Sequence, residues 1–399
     1  MNRTITVAER RSRLARRHRL LPEDHTDDVA QIADDLLALH SSDPVSVYLS
    51  AAVRMRSPSI EAVEQALYLD RTLIRHHAMR RTLWVATHDT VRLMHGAATR
   101  KLVGPEERRT LGLLEASGVD DPAAWLADAR EQVLGVLHEH GPMTARHLGV
   151  QVPALRLPLR LAVGRPYEGT AAAHTRVLLQ LGFEGRLLRA RPTGTWINGA
   201  YTYAAADSWL EGGLGDMDER TAAGPLADLW LRRFGPATTT DLQWWMGWTA
   251  TLTRHALAVC GAVPVDLDPS TGSGAAARSG WVAAGDDEEV TESSPWVAAL
   301  PGLDPTVMGW KGRDWYLDAA CADAFDRNGN AGPTLWVDGR VVGAWVQTRE
   351  GVLRSHYFLP VPRLRRLEID EVLDQLRRLL GKTRFSVRFP GRVQATMLG

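Results

Sequence analysis

Cysteine is nearly absent from this sequence: its 399 residues hold only Cys260 and Cys321, in no Cys-x-x-Cys pairing. That weighs against a disulfide framework or a structural zinc site and predicts a reducing compartment. No apolar run approaches the roughly 20 residues needed to cross a bilayer, and no hydrophobic segment follows the first arginines as a secretory signal requires. The expectation is a soluble cytoplasmic protein with no membrane association. Net charge is missing too, with 47 basic side chains against 47 acidic ones. A polyanionic partner must then be met by local patches and not by a global field. There is no glycine-rich phosphate loop ending in Gly-Lys-Ser/Thr, no His-Glu-x-x-His and no nucleophile elbow with a Ser-His-Asp order. Neither cofactor nor metal is expected.

What is present is unevenly placed. The stretch "RRSRLARRHRL" from Arg10 carries six arginines and one histidine in eleven residues, while "AAGDDEEVTESSP" at 283 to 295 is acidic. The basic start reads either as a solvated helix face or as a transit peptide. Tryptophan, with fourteen copies, is abundant. Trp244, Trp245 and Trp248, on one predicted helix, read as core. Trp310 and Trp315 in "MGWKGRDWY" are interrupted by Lys311, Arg313 and Asp314, so that loop either touches a nucleic acid or covers the end of its domain.

A chain of this length exceeds one ordinary core, and two to four modules are expected. Two segments share one pattern: "LHEHGPMTARHL" from Leu137 and "LRRFGPATTTDL" from Leu231 place Leu, Gly-Pro, Thr and Leu equivalently. In each, an amphipathic helix (near 123 to 138 and 225 to 233) runs into Gly-Pro, and Thr144 or Thr238 is placed to N-cap a second helix. After the first copy "GTAAAHTRVLLQLGFEG" supplies a third helix stopped by Gly182 and Gly185. "RLLRARPTGTW" then alternates, turns at Pro192 to Gly194 and resumes as a hairpin. The second copy continues as helices through "DLQWWMGWTATLTRHALAVCG" and two strands around a Gly/Ser-rich loop at 269 to 280. A divergent version opens the chain, with helices at 6 to 18, 27 to 39 and 59 to 68 leading to a basic-centred hairpin in "TLIRHHAMRRTLWVAT". Helices followed by a basic hairpin spell a winged helix, here three times. From 296 the texture changes to short strands, "WVAALPGLDPTVMGW", "WYLDAA" and "PTLWVDGRVVGAWVQ", with Asp338-Gly339 at a turn, which reads as a small barrel or curled sheet closed by a helix over 368 to 380. The predicted class is α+β: winged-helix units at 1–115, 116–215 and 216–292, then a barrel-like β-rich domain with a C-terminal helix at 293–399.

Winged helices lay a helix in the major groove while the wing follows the backbone or minor groove. Arg75, Arg80 and Arg81 on the first hairpin and Arg186, Arg189 and Arg191 on the second are therefore candidate phosphate contacts. Each alone is better explained as a solvated charge; the set favours nucleic acid. One polar cluster stands apart. In "LLALHSSDPVSVYLSAAVRM", from Leu36, His40, Ser41, Ser42 and Asp43 interrupt two apolar helical faces. Ser42 or Asp43 as N-cap, with Pro44 in the first turn, explains Ser-Asp-Pro. It does not explain His40.

At these residues the sequence resembles the AlkZ-like winged-helix DNA glycosylases, whose motif of the Gln-x-Gln-Asp-Pro type lies early in the chain. "LHSSDPVSVYLSAAVR" is similar to it, with His40 for the first Gln, Ser42 for the second, and Asp43, Pro44 and Arg54 matching. The likeness continues through "MRRTLWV", "GPATTTDLQWWMGWT", "LPGLDPTVMGWKGRDWY", "FDRNGNAGPTLWVDGRVVGAW" and "RFPG", phrases similar to those of an actinobacterial branch in which His also replaces the first Gln. The resemblance implies tandem winged helices and a C-terminal β-barrel in a C-shaped molecule around duplex DNA. It implies a monofunctional glycosylase that hydrolyses the N-glycosidic bond of alkylated purines of the N7-alkylguanine type, bulky genotoxin adducts among them. His40, Ser42 and Asp43 would be its catalytic residues, His40 held by Asp43 to orient water and take its proton. Arg54, Arg75, Arg80, Arg81, Arg186, Arg189, Arg191, Lys311, Arg313 and Arg327 would bind DNA. A monomer associated with the nucleoid is expected. Because both family glutamines are replaced, the alternative is a non-catalytic DNA-binding or regulatory protein on the same scaffold.

Overall fold

Thr6 opens the first helix of the computed structural model, which describes residues 2–166, 168–268 and 278–398. Its hydroxyl accepts from the Glu9 N–H at 3.1 Å and starts α1 (Val7–Arg17), which follows a two-residue strand, β1 (Thr4–Ile5). Apart from exposed Arg16, the arginines of α1 are not a solvated face. Arg13 is 1 % exposed and pairs with Glu9 and Asp286, Arg17 chelates Asp286 at 2.6 and 2.8 Å, and Arg11 donates to the Trp315 carbonyl. The two charge runs of the sequence are thus each other's partners.

After α2 (Val29–Asp35) the chain does not stay helical to residue 39 as expected. Leu37 turns to φ 60° and Leu39–His40 becomes strand β2, because pairing with a neighbouring strand buries these leucines fully. Asp43 then caps α3 (Pro44–Ala52), and α4 (Ile60–Glu64) leads through a wide turn to β3 (Leu73–His77) and β4 (Leu83–Thr87). The sheet order is β2-β4-β3, all antiparallel. One face carries Ile74, Trp84 and Ala86 into a large core; the other carries Leu39, Leu73 and Val85 into a second.

The next section runs α5 (His88–Met94), α6 (Val103–Ala116), α7 (Pro122–His140), β5 (Met143–Thr144), α8 (Ala145–Gln151), β6 (Pro158–Leu161), β7 (Gly169–Ala172), α9 (His174–Phe183), β8 (Leu187–Pro192), β9 (Tyr201–Ala205) and α10 (Ala206–Trp209). The β6–β7 hairpin was not foreseen, and β9 starts at Tyr201 instead of at the residues just after Gly194. The third section has α11 (Glu219–Phe234), α12 (Thr239–Met246), α13 (Ala250–Val259), β10 (Val263–Leu267) and β11 (Arg278–Val282), with β1 as a parallel third strand. The expected Gly/Ser-rich loop lies, through residue 277, outside the described residues. The repeated Gly-Pro-x-Thr makes the same bridge and the same cap twice, although its glycines differ, Gly141 at φ 74° and Gly235 at φ −68°. Met143 pairs with Tyr203 and Ala237 with Trp281, each on the second hairpin strand, and Thr144 and Thr238 accept from the N–H three residues on. Gly247, at φ +66°, ends α12, so Trp248 falls outside the helix that carries Trp244 and Trp245.

The last section holds β12 (Val297–Leu300), α14 (Pro305–Met308), β13 (Thr334–Val337), β14 (Arg340–Gln347), β15 (Leu353–Tyr357), α15 (Arg363–Leu380) and α16 (Arg392–Leu398). Its sheet is a four-stranded antiparallel meander, β12-β13-β14-β15. "WYLDAA" is not a strand: Trp315 and Tyr316 are buried in turns, and Ala319–Ala324 is a 3-10 helix. No helix among the described residues is long and apolar enough to cross a membrane.

Arg54 joins the first section to the last. It is 0 % exposed, so its expected phosphate contact is corrected: no DNA can reach it. Its Nε donates to the His18 carbonyl (2.8 Å), Nη1 to Ser50 O (2.6 Å) and Asp304 Oδ2 (2.9 Å), Nη2 to Asp304 Oδ1 (2.9 Å) and Thr306 Oγ1 (2.8 Å). All five N–H donors of a guanidinium are used. Burial raises the Asp304 carboxyl and Arg54 more than reverses it, leaving it below its ordinary value. Removing one partner of such a pair strands the other's charge, at about 3–5 kcal/mol. Arg54→Met should therefore lower unfolding free energy in urea by about that amount. Adding Asp304→Asn, which keeps the cap of α14, should recover part of the loss; a double variant no more stable than the single one would refute the stranded-charge account.

Candidate active site

Strand alternation decides where the polar cluster points. His40 lies opposite Trp84 and His76 in one cross-strand row, whereas Leu39, Val85 and Arg75 form the adjacent row, facing the other way. Ser41 continues the strand, its N–H donating to Leu83 O at 2.8 Å, and its side chain emerges on the Arg75 face. So His40 and Ser41 diverge to opposite sides of one sheet, while Ser42 and Asp43 sit at its end, before α3.

His40 is 5 % exposed, its ring 4.5 Å from that of Trp84. Burial first, then the nearby Arg80 guanidinium, lowers its pKa to about 3. Its Nδ1 lies 3.3 Å from the Ser42 N–H and accepts from it, which leaves the ring proton on Nε2. The expected hold on His40 by Asp43 is not made. Asp43 is the N-cap of α3, Oδ1 accepting from Val45 N–H at 3.2 Å, and Oδ2 accepts from the Arg388 N–H at 3.4 Å. Burial raises the Asp43 carboxyl above its usual range, partly offset by those N–H groups and the Arg388 charge. Arg388, which the sequence reading cited only as part of "RFPG", reaches across the fold to donate to Ser42 O at 2.7 Å and is exposed. Ser42 is half-buried and caps nothing.

The hairpin between β3 and β4 brings Arg80 to this site. Arg80 and Arg81 both take positive φ, 54° and 64°, a conformation costing each non-glycine residue roughly 1 kcal/mol. Arg80 stacks 4.3 Å over Trp244, and Arg313 stacks on the same ring at 5.5 Å. Gly247 lies beneath: a Cβ there would come within 3.3 Å of the Arg80 side chain. Among the other expected DNA contacts, Lys311 and Arg327 are exposed, and Arg189 is half-buried against Tyr201 and Tyr203. Arg81, Arg186 and Arg191 are exposed but paired with Glu106, Glu131 and Glu64. Arg75 is 2 % exposed, which corrects its assignment as a phosphate contact: the sheet's second core covers it. Trp310 and Trp315 are buried, while Lys311 and Asp314 in the same loop face outward, Asp314 paired with Arg278. A separate cavity of about 890 Å³ opens at the far end of α3, lined by Ala52, Met55, Trp296, Arg365 and Leu376; the His40 loop does not reach it. Among the described residues no group of three or more His, Cys, Asp or Glu is placed to hold a metal ion.

A family model described as DNA glycosylase AlkZ-like matches residues 33–380. Among solved structures, the DNA glycosylase AlkZ of Streptomyces sahachiroi aligns with a TM-score of 0.71, covering 96 % of this chain and 99 % of that one at 20 % identity, a likeness of fold. No curated protein matches the chain.

The burial of His40 sets its titration. In ¹⁵N-edited spectra its ring should stay neutral, protonated on Nε2, from pH 8 down to about pH 4, because its proton affinity is held near a pKa of about 3. A midpoint near 6.5, the value of a solvated imidazole, would show that the site is wet.

Proposed function

The chain belongs to the AlkZ-like DNA glycosylase family, and we propose that as such an enzyme it excises cationic N7-alkylated purines from duplex DNA. One observation carries this choice of substrate: the His40 ring is buried against Trp84 with Nδ1 accepting from the Ser42 N–H, and that burial holds its pKa down to about 3, so it offers a leaving base no acidic proton. A neutral purine needs protonation to depart, whereas an N7-alkylguanine already carries positive charge and leaves as a neutral base. What the site must supply is a placed water and a counter-charge for the sugar.

His40 Nε2–H donates to the oxygen of that water, and Asp43 accepts one of its protons. As the C1′–N9 bond breaks, its electron pair goes to the cationic base; the water oxygen bonds to C1′, and its proton passes to Asp43. A desolvated carboxylate stabilises the oxocarbenium-like sugar more than a solvated one, because its field is less screened. Ser42, half-buried at the loop, orients the water from its other side. This division of labour gives His40 the part of an amide donor, which fits a position where the family motif has glutamine.

The three helical sections, each ending in a hairpin joined by a third short strand, act on this reading as winged helices over 1–115, 116–215 and 216–292. With the β-rich section 293–399 they hold the duplex as a monomeric clamp. Arg80, Lys311, Arg327 and Arg388, all exposed, together with Arg189 and Arg313 on aromatic faces, supply the phosphate contacts.

The deciding experiment is single-turnover excision from a duplex with one N7-methylguanine, scored as abasic sites. His40→Ala and Asp43→Asn should each slow it about 10²- to 10⁴-fold. Stability should barely change in Asp43→Asn, since asparagine caps as well as aspartate. His40→Gln should keep most of the rate. Loss of activity in His40→Gln equal to that in His40→Ala would instead make the imidazole a base. Asp43 also sets a pH limb: the base must be ionised, so the rate should fall as pH drops through a pKa above 3.8, and Asp43→Asn should abolish that limb.

Binding is tested by salt. Each phosphate contact steepens the fall of log K by about 0.9 per log unit of salt. Arg80→Ala and Arg189→Ala should each flatten the slope by about that much. Unchanged slopes in both would place the DNA elsewhere.

A further inference from the structure

Arg75 is a cation in the wrong place for its surroundings. It is 2 % exposed at the middle of β3, and among the described residues no carboxylate lies within ion-pair distance of it. Its guanidinium lies 4.5 Å over the ring of Tyr201; Nη1 donates to the Tyr68 hydroxyl at 2.6 Å, and Nε donates to Ser41 Oγ at 2.8 Å. Nη2 has no partner, nor does the buried hydroxyl of Tyr201. A buried charge without a counter-charge is strongly penalised, and each unmade buried hydrogen bond adds to that cost. Core packing alone would be better served by leucine or methionine.

The directed contact that this cation makes with the loop is the one to Ser41. Ser41 stands between His40 and Ser42, on the same face of the sheet as Arg75 but on the far side of β4, two residues beyond the residue in Arg75's row. The long Arg75 side chain spans β4 to reach Ser41 Oγ at 2.8 Å. Because the backbone of Ser41 is hydrogen-bonded to Leu83 on one side and continues into His40 on the other, fixing its hydroxyl fixes the turn that aims His40 and Ser42.

We propose that Arg75 is a positioning residue for the reaction, holding Ser41 and through it the loop that carries His40 and Ser42, and that it makes no contact with DNA. The inference rests on the catalytic reading of that loop. Arginine is required because two nitrogens at different depths serve two partners: Nε meets Ser41 while Nη1 meets Tyr68. A lysine ammonium is a single centre and can serve one of them.

The test is a double-mutant cycle of Arg75→Lys and Ser41→Ala, with three readouts. Single-turnover excision from the N7-methylguanine duplex should fall about ten- to a hundredfold in either variant, the range expected when a reacting group is displaced by about an ångström. The double variant should be no slower than the slower single one, because both remove one linkage. Duplex affinity and its salt slope should match the wild type. The ¹⁵N signals of the His40 ring, assigned by their loss in His40→Gln, should shift in both variants. An unshifted ring with a wild-type rate in Ser41→Ala would overturn the proposal, as would multiplicative losses in the cycle. A salt slope flattened by about 0.9 in Arg75→Lys would return the residue to the phosphate surface. Ser41→Ala removes a single oxygen, so it keeps the test decisive should Arg75→Lys fail to fold. If the wild-type protein leaves no abasic site in the duplex, the substrate reading fails, yet the His40 signals still report whether Arg75 and Ser41 set the ring's position.

Discussion

The pairing of Arg54 with Asp304 is the constraint on which the placement of the site depends. Helix α3 begins at Asp43 and ends just before Arg54, and both of its ends are tied to the last section of the chain. At the first turn Ser46 donates to Gly302 O at 2.6 Å; at the far end Arg54 grips Asp304 and Thr306. The same guanidinium holds the carbonyl that ends α1, and the His18 ring joins Thr306 Oγ1 to the Arg233 carbonyl. Three sections of the chain therefore meet around one desolvated ion pair. Its net contribution to stability is small beside a hydrophobic equivalent, but its directional demands are severe, since five acceptors must be in place together. A nine-residue helix so fixed cannot slide or roll, and Asp43 is delivered to the end of the β2-β4-β3 sheet, beside Arg388, in one position.

Dryness does the second part of the work. The sheet that holds His40 lies between two hydrophobic clusters, so its histidines are buried and neutral, while Arg75 on the same sheet keeps a buried charge. His40, His76 and His77 on these strands and His95 beneath them all have pKa values well below that of a solvated imidazole, burial being the first cause in each. His76 Nε2 and His95 Nδ1 are 3.1 Å apart, so one donates to the other, and a Cβ on Gly185 would collide with His95. The same burial that makes His40 a poor base makes it a dependable neutral donor. A ring that never charges in the physiological range keeps one tautomer, and one tautomer can hold one water orientation.

Local features were legible in the sequence, and features set by distant partners were not. The Gly-Pro-x-Thr repeat foretold two capped helices because a threonine N-cap needs nothing beyond its own next three residues. The hairpins at β3–β4 and β10–β11 showed in their alternation for the same reason. The helix expected to reach residue 39 failed because Leu36, Leu37 and Leu39 look the same on a helix face as on a buried strand edge; only the β4 partner, more than forty positions on, decides. Arg54 and Arg75 looked like phosphate contacts because sequence records a charge and not its burial. Asp304 and Tyr201, their actual neighbours, stand far along the chain, and nothing near either arginine announces them. The acidic stretch at 283 to 295 was visible, and so was the basic helix, but that one neutralises the other follows only from β1 lying beside β10. Arg388 was hidden by the length of chain between it and Asp43.

The arginine count then bears on how such a protein can discriminate. Basic and acidic side chains are equal in number, and the fold consumes much of the basic set internally: α1 against Asp286, Arg54 against Asp304, Arg176 against Glu106, Arg233 against Asp34. Few exposed, unpaired cations remain near His40, and one of them, Arg80, is held in a strained turn against Trp244. A surface of this kind binds a duplex modestly and cannot read sequence by charge alone. On the proposed reaction it does not need to. The lesion itself supplies the leaving-group activation, so an undamaged purine in the same position meets a site with a water and a carboxylate but no acid to release it. Discrimination then resides in the bond being broken, and the protein's part is to keep the site dry, the imidazole neutral and the loop still.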